Sequence, residues 1–462
     1  MEKQEKIPLN VLLAVLATGL MSFCGVIVET SMNISFPTLM KEFNVTTSTV
    51  QWMTTIYLLV VAIIVPISSF LKHNFKTKTL FILANLFFIL GVVIDAIAPI
   101  FPMLLLGRVV QGIGTGIALP LMFNIILENV PESKIGLMMG LGTLITAVAP
   151  AIGPTFGGLV VSAWGWRYIF VILLPILIIS FFLGIKNIQQ KSQIQKSEFD
   201  VLSFIALILT FGGLIFSFSN ISQMSPLVII AFVIGVIGLV GFIIRSQHLN
   251  NPLIDLKVLQ NKKFSGHLLS FFLFQISSLG FAFILPNYIQ LVNHNNATIA
   301  GLAVLPAGVV GAILAPLGGK ILDEMGARLP ILSGVTLAEI SLIIFASLSL
   351  KLSNTMIVWF YIIYMLGMGM SFGNIMTDGL KFLSDQEQAD GNALFNTLQQ
   401  FAGATGTSIV SAIIALSQNN HNLSTATATA IGSQHAFILL VVLGLLNLVV
   451  LTFVVSKKSQ FK

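Results

Sequence analysis

Residues 142–158 read GTLITAVAPAIGPTFGG, a helix-length run with no charged residue and a composition that would be poor in water. Pro150 and Pro154 each remove a backbone donor and favour a kink, and Gly142, Gly153, Gly157 and Gly158 leave one face almost bare of side chains. In a bilayer the same features are useful. Small residues let a neighbouring backbone approach closely, and adjacent helices can satisfy the freed carbonyls. Taken alone, the stretch predicts a tightly packed transmembrane helix with two kinks.

The rest of the chain agrees with a membrane setting. Hydrophobic residues make up 56% and charged residues 9%, against roughly 25% charged in ordinary soluble domains. Mean hydropathy is +0.97. The single cysteine, Cys24, lies in an apolar run and can form no disulfide within the chain. The opening MEKQEK precedes an apolar run too long for a leader's hydrophobic region, so it reads as the approach to a first span.

Counting about 20 apolar residues per crossing, the hydropathy pattern predicts fourteen spans, near residues 10–37, 48–70, 78–98, 101–127, 134–163, 166–185, 199–219, 226–245, 264–291, 298–322, 329–350, 353–380, 391–417 and 432–456. Of the 23 Lys and Arg, Lys41, Arg167 and Lys351 fall on one side and Arg108 within a span; the others lie on the side of the two ends. The positive-inside rule therefore places both termini in the cytoplasm. The formal charge of +6 is thus a topological signal and no indication of nucleic-acid binding. Two polar segments, 187–199 and 245–264, divide the spans 6 + 2 + 6. The expected organisation is a six-helix half (1–186), a two-helix insert with its flanking loops (187–263) and a second six-helix half (264–462).

Ionisable residues at membrane depth are costly and usually face a cavity or a partner. Four stand out: Glu29 in span 1, Asp95 in span 3, Arg108 in span 4 and Glu339 in span 11, while Asp378 sits near the inner end of span 12. At about 1.5 Å per residue, Glu29 and Arg108 lie on the order of 12 and 10 Å from the outer ends of their spans, so they share a depth. Desolvation favours a protonated carboxyl and a nearby guanidinium favours the ionised form. Movement of Arg108 relative to Glu29 would then switch a proton between held and released. A permanent Glu29–Arg108 ion pair that only fixes packing is the competing expectation. Glu339, near the midplane without an obvious cation, reads as a second proton carrier, a cation-binding group or a hydrogen-bonded neutral acid. A ligand site would be mostly apolar with a few polar groups, for which Asn33, Trp52, Tyr57, Asn124, Gln275, Asn287, Asn396, Gln399 and Gln400 are the candidates. His294 and His421 in outer loops read as solvated, and no metal, cofactor or catalytic constellation is expected.

ETSMNISFP (29–37), VQWMTTIYLL (50–59), RVVQGIGTG (108–116) and APAIGPTFGG (149–158), on spans 1, 2, 4 and 5, together resemble the motifs of the fourteen-helix drug:proton antiporters of the major facilitator superfamily. APAIGPTFGG (149–158) is similar to the antiporter signature of the fifth helix, and WGWRYIF (164–170) to the segment after it. ETSMNISFP (29–37) is similar to the branch's first-helix acid motif. Its commonest acid position falls here on Val28, and Glu29 stands one residue on. VQWMTTIYLL (50–59) fits a Gram-positive subset, and RVVQGIGTG (108–116) matches the proton-linked motif in Arg108, Gly112 and Gly116. GKILDEMGAR (319–328) carries the gating-loop pattern in Gly319, Asp323, Gly326 and Arg328; its first-half counterpart, SFLKHNFKTK (69–78), has lost both glycines and has His73 at the acid position. The resemblance implies an all-α membrane protein with the major facilitator fold, exporting amphipathic, often cationic drugs across a bacterial plasma membrane as a monomer. Proton entry would supply the energy, with Glu29 and Arg108 in the coupling roles. A narrower physiological substrate (a lipid, peptide or metabolite) is the alternative, and a transporter-fold sensor a further one.

Overall fold

A membrane-spanning chain must satisfy its backbone polar groups within itself, and this one does so with helices. The computed structural model describes residues 7–190, 194, 198–221, 225–249, 252–384, 387–420 and 422–455, apart from the side chains of residues 69, 132, 133, 135–137, 140, 141 and 143–147. The helices are α1 (Leu9–Phe43), α2 (a broken run of Thr47–Val50, Trp52–Ile64, the 3-10 turn Val65–Ile67 and Ser68–Asn74), α3 (Thr77–Ile97), α4 (Phe101–Asn129), α5 (Glu132–Ala163), α6 (Arg167–Asn187), α7 (Val201–Ser219) and α8 (Pro226–His248). After a short 3-10 turn, Leu256–Gln260, come α9 (Lys262–Leu291), α10 (Ala297–Met325), α11 (Arg328–Leu348), α12 (Asn354–Leu380), α13 (Gln388–Gln418) and α14 (Thr425–Val454). Thirteen of these helices are long and apolar enough to cross a membrane, and α5 adds the apolar stretch Val148–Ala163.

Several helices begin where a polar side chain caps them. Asp200, Asn261, Asn296, Ser353 and Ser424 each accept a backbone N–H of the first turn, which satisfies donors that the helix itself cannot. Ser424 also explains a difference from the sequence expectation. The last span begins at Thr425 rather than near residue 432, because the cap, and not hydropathy, sets its start.

Helices α1–α6 pack as one bundle and α9–α14 as another. Within the first, Asn85 of α3 donates to Ser180 of α6 (3.0 Å), which donates to the Ala17 carbonyl of α1 (2.8 Å). The successive crossings put both described ends of the chain on one face of the bundle, here called the terminal face; the opposite one is the distal face. The bundles meet chiefly along three helix pairs. In α5–α10, Thr155 donates to the Gly301 carbonyl (3.0 Å) and Thr298 to that of Gly158 (3.2 Å). In α2–α13, Thr47 donates to Gln418 (2.6 Å) and Thr55 lies 3.0 Å from Thr407. In α1–α9, Gln290 donates to the Ile34 carbonyl (2.9 Å) and Phe36 packs on Phe283. All these contacts lie in the distal half, and among the described residues no hydrogen bond joins the two bundles in the terminal half. The halves are sealed distally.

The inserted helices α7 and α8 pack on each other through Gly213, Gly235 and Gly238, and the Arg245–Asp200 ion pair (2.7 Å) joins their terminal ends. Helix α7 also rests on both bundles. Its Ser219 accepts from Gln51 of α2 (3.2 Å) and donates to Ser408 of α13 (2.9 Å), while Phe216 faces Trp52 and Phe211 stacks on Phe401.

Candidate functional site

Arg108 is the largest buried charged group of the first bundle, fully enclosed by α1–α4. Such a charge persists in a low-dielectric interior only if its donors are engaged. Its Nε donates to the Met53 carbonyl (2.8 Å) and Nη1 to Gln111 Oε1 (2.6 Å); Gln111 Nε2 in turn donates to Asp95 Oδ2 (2.8 Å). The guanidinium also lies over the Tyr57 ring, 4.2 Å from its centre, a cation–π contact. Tyr57 Oη is 2.9 Å from Thr115 Oγ1 and 3.2 Å from the Gly25 carbonyl. Gly107 makes this possible, since a Cβ there would overlap the Asp95 carboxylate. Two atoms of the cluster, Arg108 Nη2 and Asp95 Oδ1, have no hydrogen-bond partner among the described residues.

Glu29, one helical turn beyond Gly25, is only half-buried. It interacts electrostatically with Arg108 and Tyr57 but forms no ion pair with Arg108 among the described residues. The permanent pair that was the competing expectation from sequence is therefore not formed here. Gln111 and the Met53 carbonyl hold the guanidinium instead, and its carboxylate link runs through Gln111 to Asp95. Sequence reasoning missed Gln111 as a member of the site. The available signal was its place three residues after Arg108, hence on the same helix face.

The antiporter-like helix α5 is continuous through Pro150 and Pro154. Its glycines do not share one face, as the sequence reading expected. Gly153 and Gly157 lie against Thr30 and Ser31 of α1, with Ser31 donating to the Gly153 carbonyl (2.8 Å). Gly158 lies against the Ala297 backbone of α10, and Gly142 against Met122 and Ile126 of α4. A step of one residue turns a helix by about 100°, so Gly157 and Gly158 serve different neighbours. Helix α5 thereby fastens the Glu29 segment to the distal seam.

The remaining candidates are dispersed. Glu339 is 5% exposed on α11, in the other bundle; neither carboxylate oxygen has a hydrogen-bond partner among the described residues, and a Cβ on Gly444 of α14 would overlap it. Among the ligand candidates, Asn33 is sealed and accepts from Thr54 (2.9 Å), Asn287 is sealed and donates to its own helix, and Tyr57 belongs to the Arg108 cluster. These three are enclosed at the distal seam or beneath Arg108, so they do not line an open surface here. Gln275 is buried beside Gly403, Trp52 faces Phe216, and Asn124, Asn396, Gln399 and Gln400 are half-buried. In the gating loop, Asp323 and Arg328 are exposed and Gly326 takes φ 85°, a conformation that favours glycine; Gly319 has open space around it. Asp323 and Arg328 form no ion pair among the described residues, where Lys320–Glu324 is the pair of that loop. In the first-half loop, Lys72 pairs with Glu128 (2.9 Å) and His73 is exposed. His294 is exposed, His421 lies outside the described residues, and no metal-binding group of side chains occurs among those described.

The sequence profile of the Major Facilitator Superfamily matches residues 18–407. The chain is 36% identical over 445 residues to the lincomycin resistance protein LmrB of Bacillus subtilis, covering 93% of each. It is 35% identical to the protein of the same name from Listeria monocytogenes, covering 98% of each. The fold is similar to that of a bacterial homologue of the human lysosomal transporter Spinster in an inward-facing, unoccupied conformation (TM-score 0.70, 15% identity, 96% of each chain).

Proposed function

Because the chain belongs to the Major Facilitator Superfamily and is thus a multi-pass membrane transporter, we propose that it is a proton-coupled exporter of amphipathic, often cationic compounds. The observation that carries this reading is the state of Glu29: a half-buried carboxyl at the depth of a fully buried Arg108, electrostatically coupled to it but not bonded to it. A carboxyl that is reachable and unpaired can exchange its proton. The Arg108 guanidinium, already held by Gln111 and the Met53 carbonyl, has Nη2 left for a second partner. Ionised Glu29 draws that edge toward itself; protonated Glu29 leaves it with Gln111 and Asp95. Proton occupancy at Glu29 thereby selects between two arrangements of α1 against α4, and α5, locked to α1 through Gly153 and Gly157, conveys the choice to the seam between the halves.

The positive-inside distribution supports placing the terminal face in the cytoplasm of a bacterial plasma membrane. The distal seam is then the outer gate, closed in the conformation described, and exchange of substrate is with the cytoplasm. A proton gradient takes the place of a cofactor, and a single chain of two halves, 1–186 and 264–462, around the 187–263 insert is the working unit. Kinship with the staphylococcal quinolone-efflux transporter NorC is part of the same proposal, and relatives are named for lincomycin resistance. Quinolones, lincosamides and cationic dyes therefore make up the test panel.

The experiment is proton movement in proteoliposomes, read by a lumenal pH dye as panel compounds are added. Proton flux that appears only with some compounds and vanishes in Glu29→Gln, at unchanged protein abundance, is the expected result. Flux of wild-type size in Glu29→Gln would remove Glu29 from the coupling role. Silence of the folded wild-type protein across the panel would point to a narrower physiological substrate.

A further inference from the structure

A second ionisable pair lies in the other half, remote from Arg108. His267, on the second turn of α9, and Asp378, on the last turn of α12, face each other with His267 Nε2 3.0 Å from Asp378 Oδ2; their side chains are 0% and 3% exposed. The other ring nitrogen, Nδ1, lies 2.7 Å from the Lys263 carbonyl oxygen. Both nitrogens of one imidazole thus point at oxygens. Phe382 packs beside the ring, and Gly379 leaves room for it: a Cβ there would come within 2.8 Å of His267 Cβ.

Proton bookkeeping follows from the chemistry of these atoms. A carbonyl oxygen only accepts, so Nδ1 carries a hydrogen. An ionised carboxylate also only accepts, so against it Nε2 needs a hydrogen too, and the ring is an imidazolium. If the ring is neutral, with its hydrogen on Nδ1, the Nε2 lone pair requires a hydrogen on Asp378. Each case holds one proton more than a neutral imidazole beside a carboxylate, and an enclosed pair has little water to take that proton's place. We infer that His267 and Asp378 form a second proton-binding site of this protein, in the second half near the terminal face, whose bound proton fastens α9 to α12.

Loss of that proton leaves a lone pair on Nε2 facing a carboxylate, so the contact that joined the helices becomes repulsive. The charged groups on the elements around the pair are Lys262 and Lys263 on α9, the latter with its ammonium over the Phe382 ring; Lys381 at the end of α12; Asp255 and Lys257 at the 3-10 turn; Glu387 and Asp390 at the start of α13, where Asp390 accepts from the Asp255 N–H; and Lys320, Asp323 and Glu324 at the terminal end of α10. The described end of α14 brings Val454 against Gly266 and no charge. Among the described residues His267 forms its ion pair with Asp378 alone.

The inference does not depend on drug export, and its test uses none. The full chain, labelled with 15N-histidine in nanodiscs, is followed by NMR of the imidazole nitrogens, with His267 assigned by the signal lost in His267→Gln or by elimination through variants of the other five histidines. Infrared spectra of wild type and Asp378→Asn are compared in parallel. The expected result is an imidazolium at position 267, or a neutral Nδ1–H ring together with a protonated-carboxyl band that disappears in Asp378→Asn. A neutral Nε2–H ring beside an ionised Asp378 would overturn the inference, because that pair needs no extra proton.

Discussion

Replacing Gly158 by Ala adds one methyl group where two backbones touch in the distal seam. Its Cβ would overlap the Ala297 carbonyl oxygen and sit 3.1 Å from the Ala297 carbonyl carbon and 3.3 Å from Gly301 Cα. All of these are backbone atoms, which cannot swing away as a side-chain tip can. The two helices must separate, and the bonds Thr298–Gly158 (3.2 Å) and Thr155–Gly301 (3.0 Å) lengthen as they do. Overpacking of this kind costs about 1–3 kcal/mol. Only conformations with the distal seam closed bear that cost. The ratio of open to closed should therefore rise by about 5- to 150-fold, since about 1.4 kcal/mol is tenfold. The assay is double electron–electron resonance between nitroxides at Lys41→Cys and Lys351→Cys, exposed positions at the distal ends of the two halves. Native Cys24 is fully buried and should label little. A longer-distance population should grow in Gly158→Ala. An unchanged distance distribution together with an unchanged melting temperature would refute the reasoning, for then the seam would have absorbed the methyl group without opening.

Other consequences are equally direct. Gln111→Leu leaves a buried guanidinium donor and a buried carboxylate oxygen without their bridge, and should cost about 2 kcal/mol or more, read as a lower melting temperature in detergent; an unchanged one would mean that the bridge is dispensable. Gly444→Ala would put a methyl group on the Glu339 carboxylate and should destabilise the chain by about 1–3 kcal/mol, whereas Glu339→Ala in the same background should recover part of that loss in the same melting assay. At Asp200, burial acts to raise the pKa, but the hydrogen bonds from Ser203 and Arg245 and the charge of Arg245 outweigh it and hold the carboxyl below its ordinary value. A depressed carboxylate stabilises the fold above the ordinary range and loses that contribution as pH falls through its folded pKa. Amide protection at the first turn of α7 should therefore decline below about pH 4, and Asp200→Asn should show weaker protection that no longer changes there.

The fourteen crossings were legible because lipid tolerates few charges and demands closed backbone hydrogen bonding, so hydropathy reports each span almost directly. Helix ends were less legible. Ser424 caps α14 in a region of modest hydropathy, and only its side-chain bond to the Thr427 N–H marks the start. The shared depth of Glu29 and Arg108 followed from helical rise, but their relation did not. Depth fixes position along an axis; rotation about it decides partners, and Arg108 turned toward Gln111 and Met53. The glycines of α5 show the same limit, since adjacent Gly157 and Gly158 look alike in a string and face different helices in the bundle. His267 and Asp378, which stand 111 residues apart, could be matched only once α9 and α12 were side by side.

Helix α7 occupies the groove where α2 meets α13, with Ser219 reaching both, Phe216 against Trp52 of α2 and Phe211 against Phe401 of α13, whereas among the described residues no inserted helix packs beside the α5–α10 crossing. A simple pair of six-helix halves would offer the surrounding lipid two lateral doorways into the space between them. Here one is blocked by a piece of the chain itself. The two flanks of the contact between the halves are therefore covered unequally: on one side the lipid meets α7, and on the other, among the described residues, it meets α5 and α10 themselves.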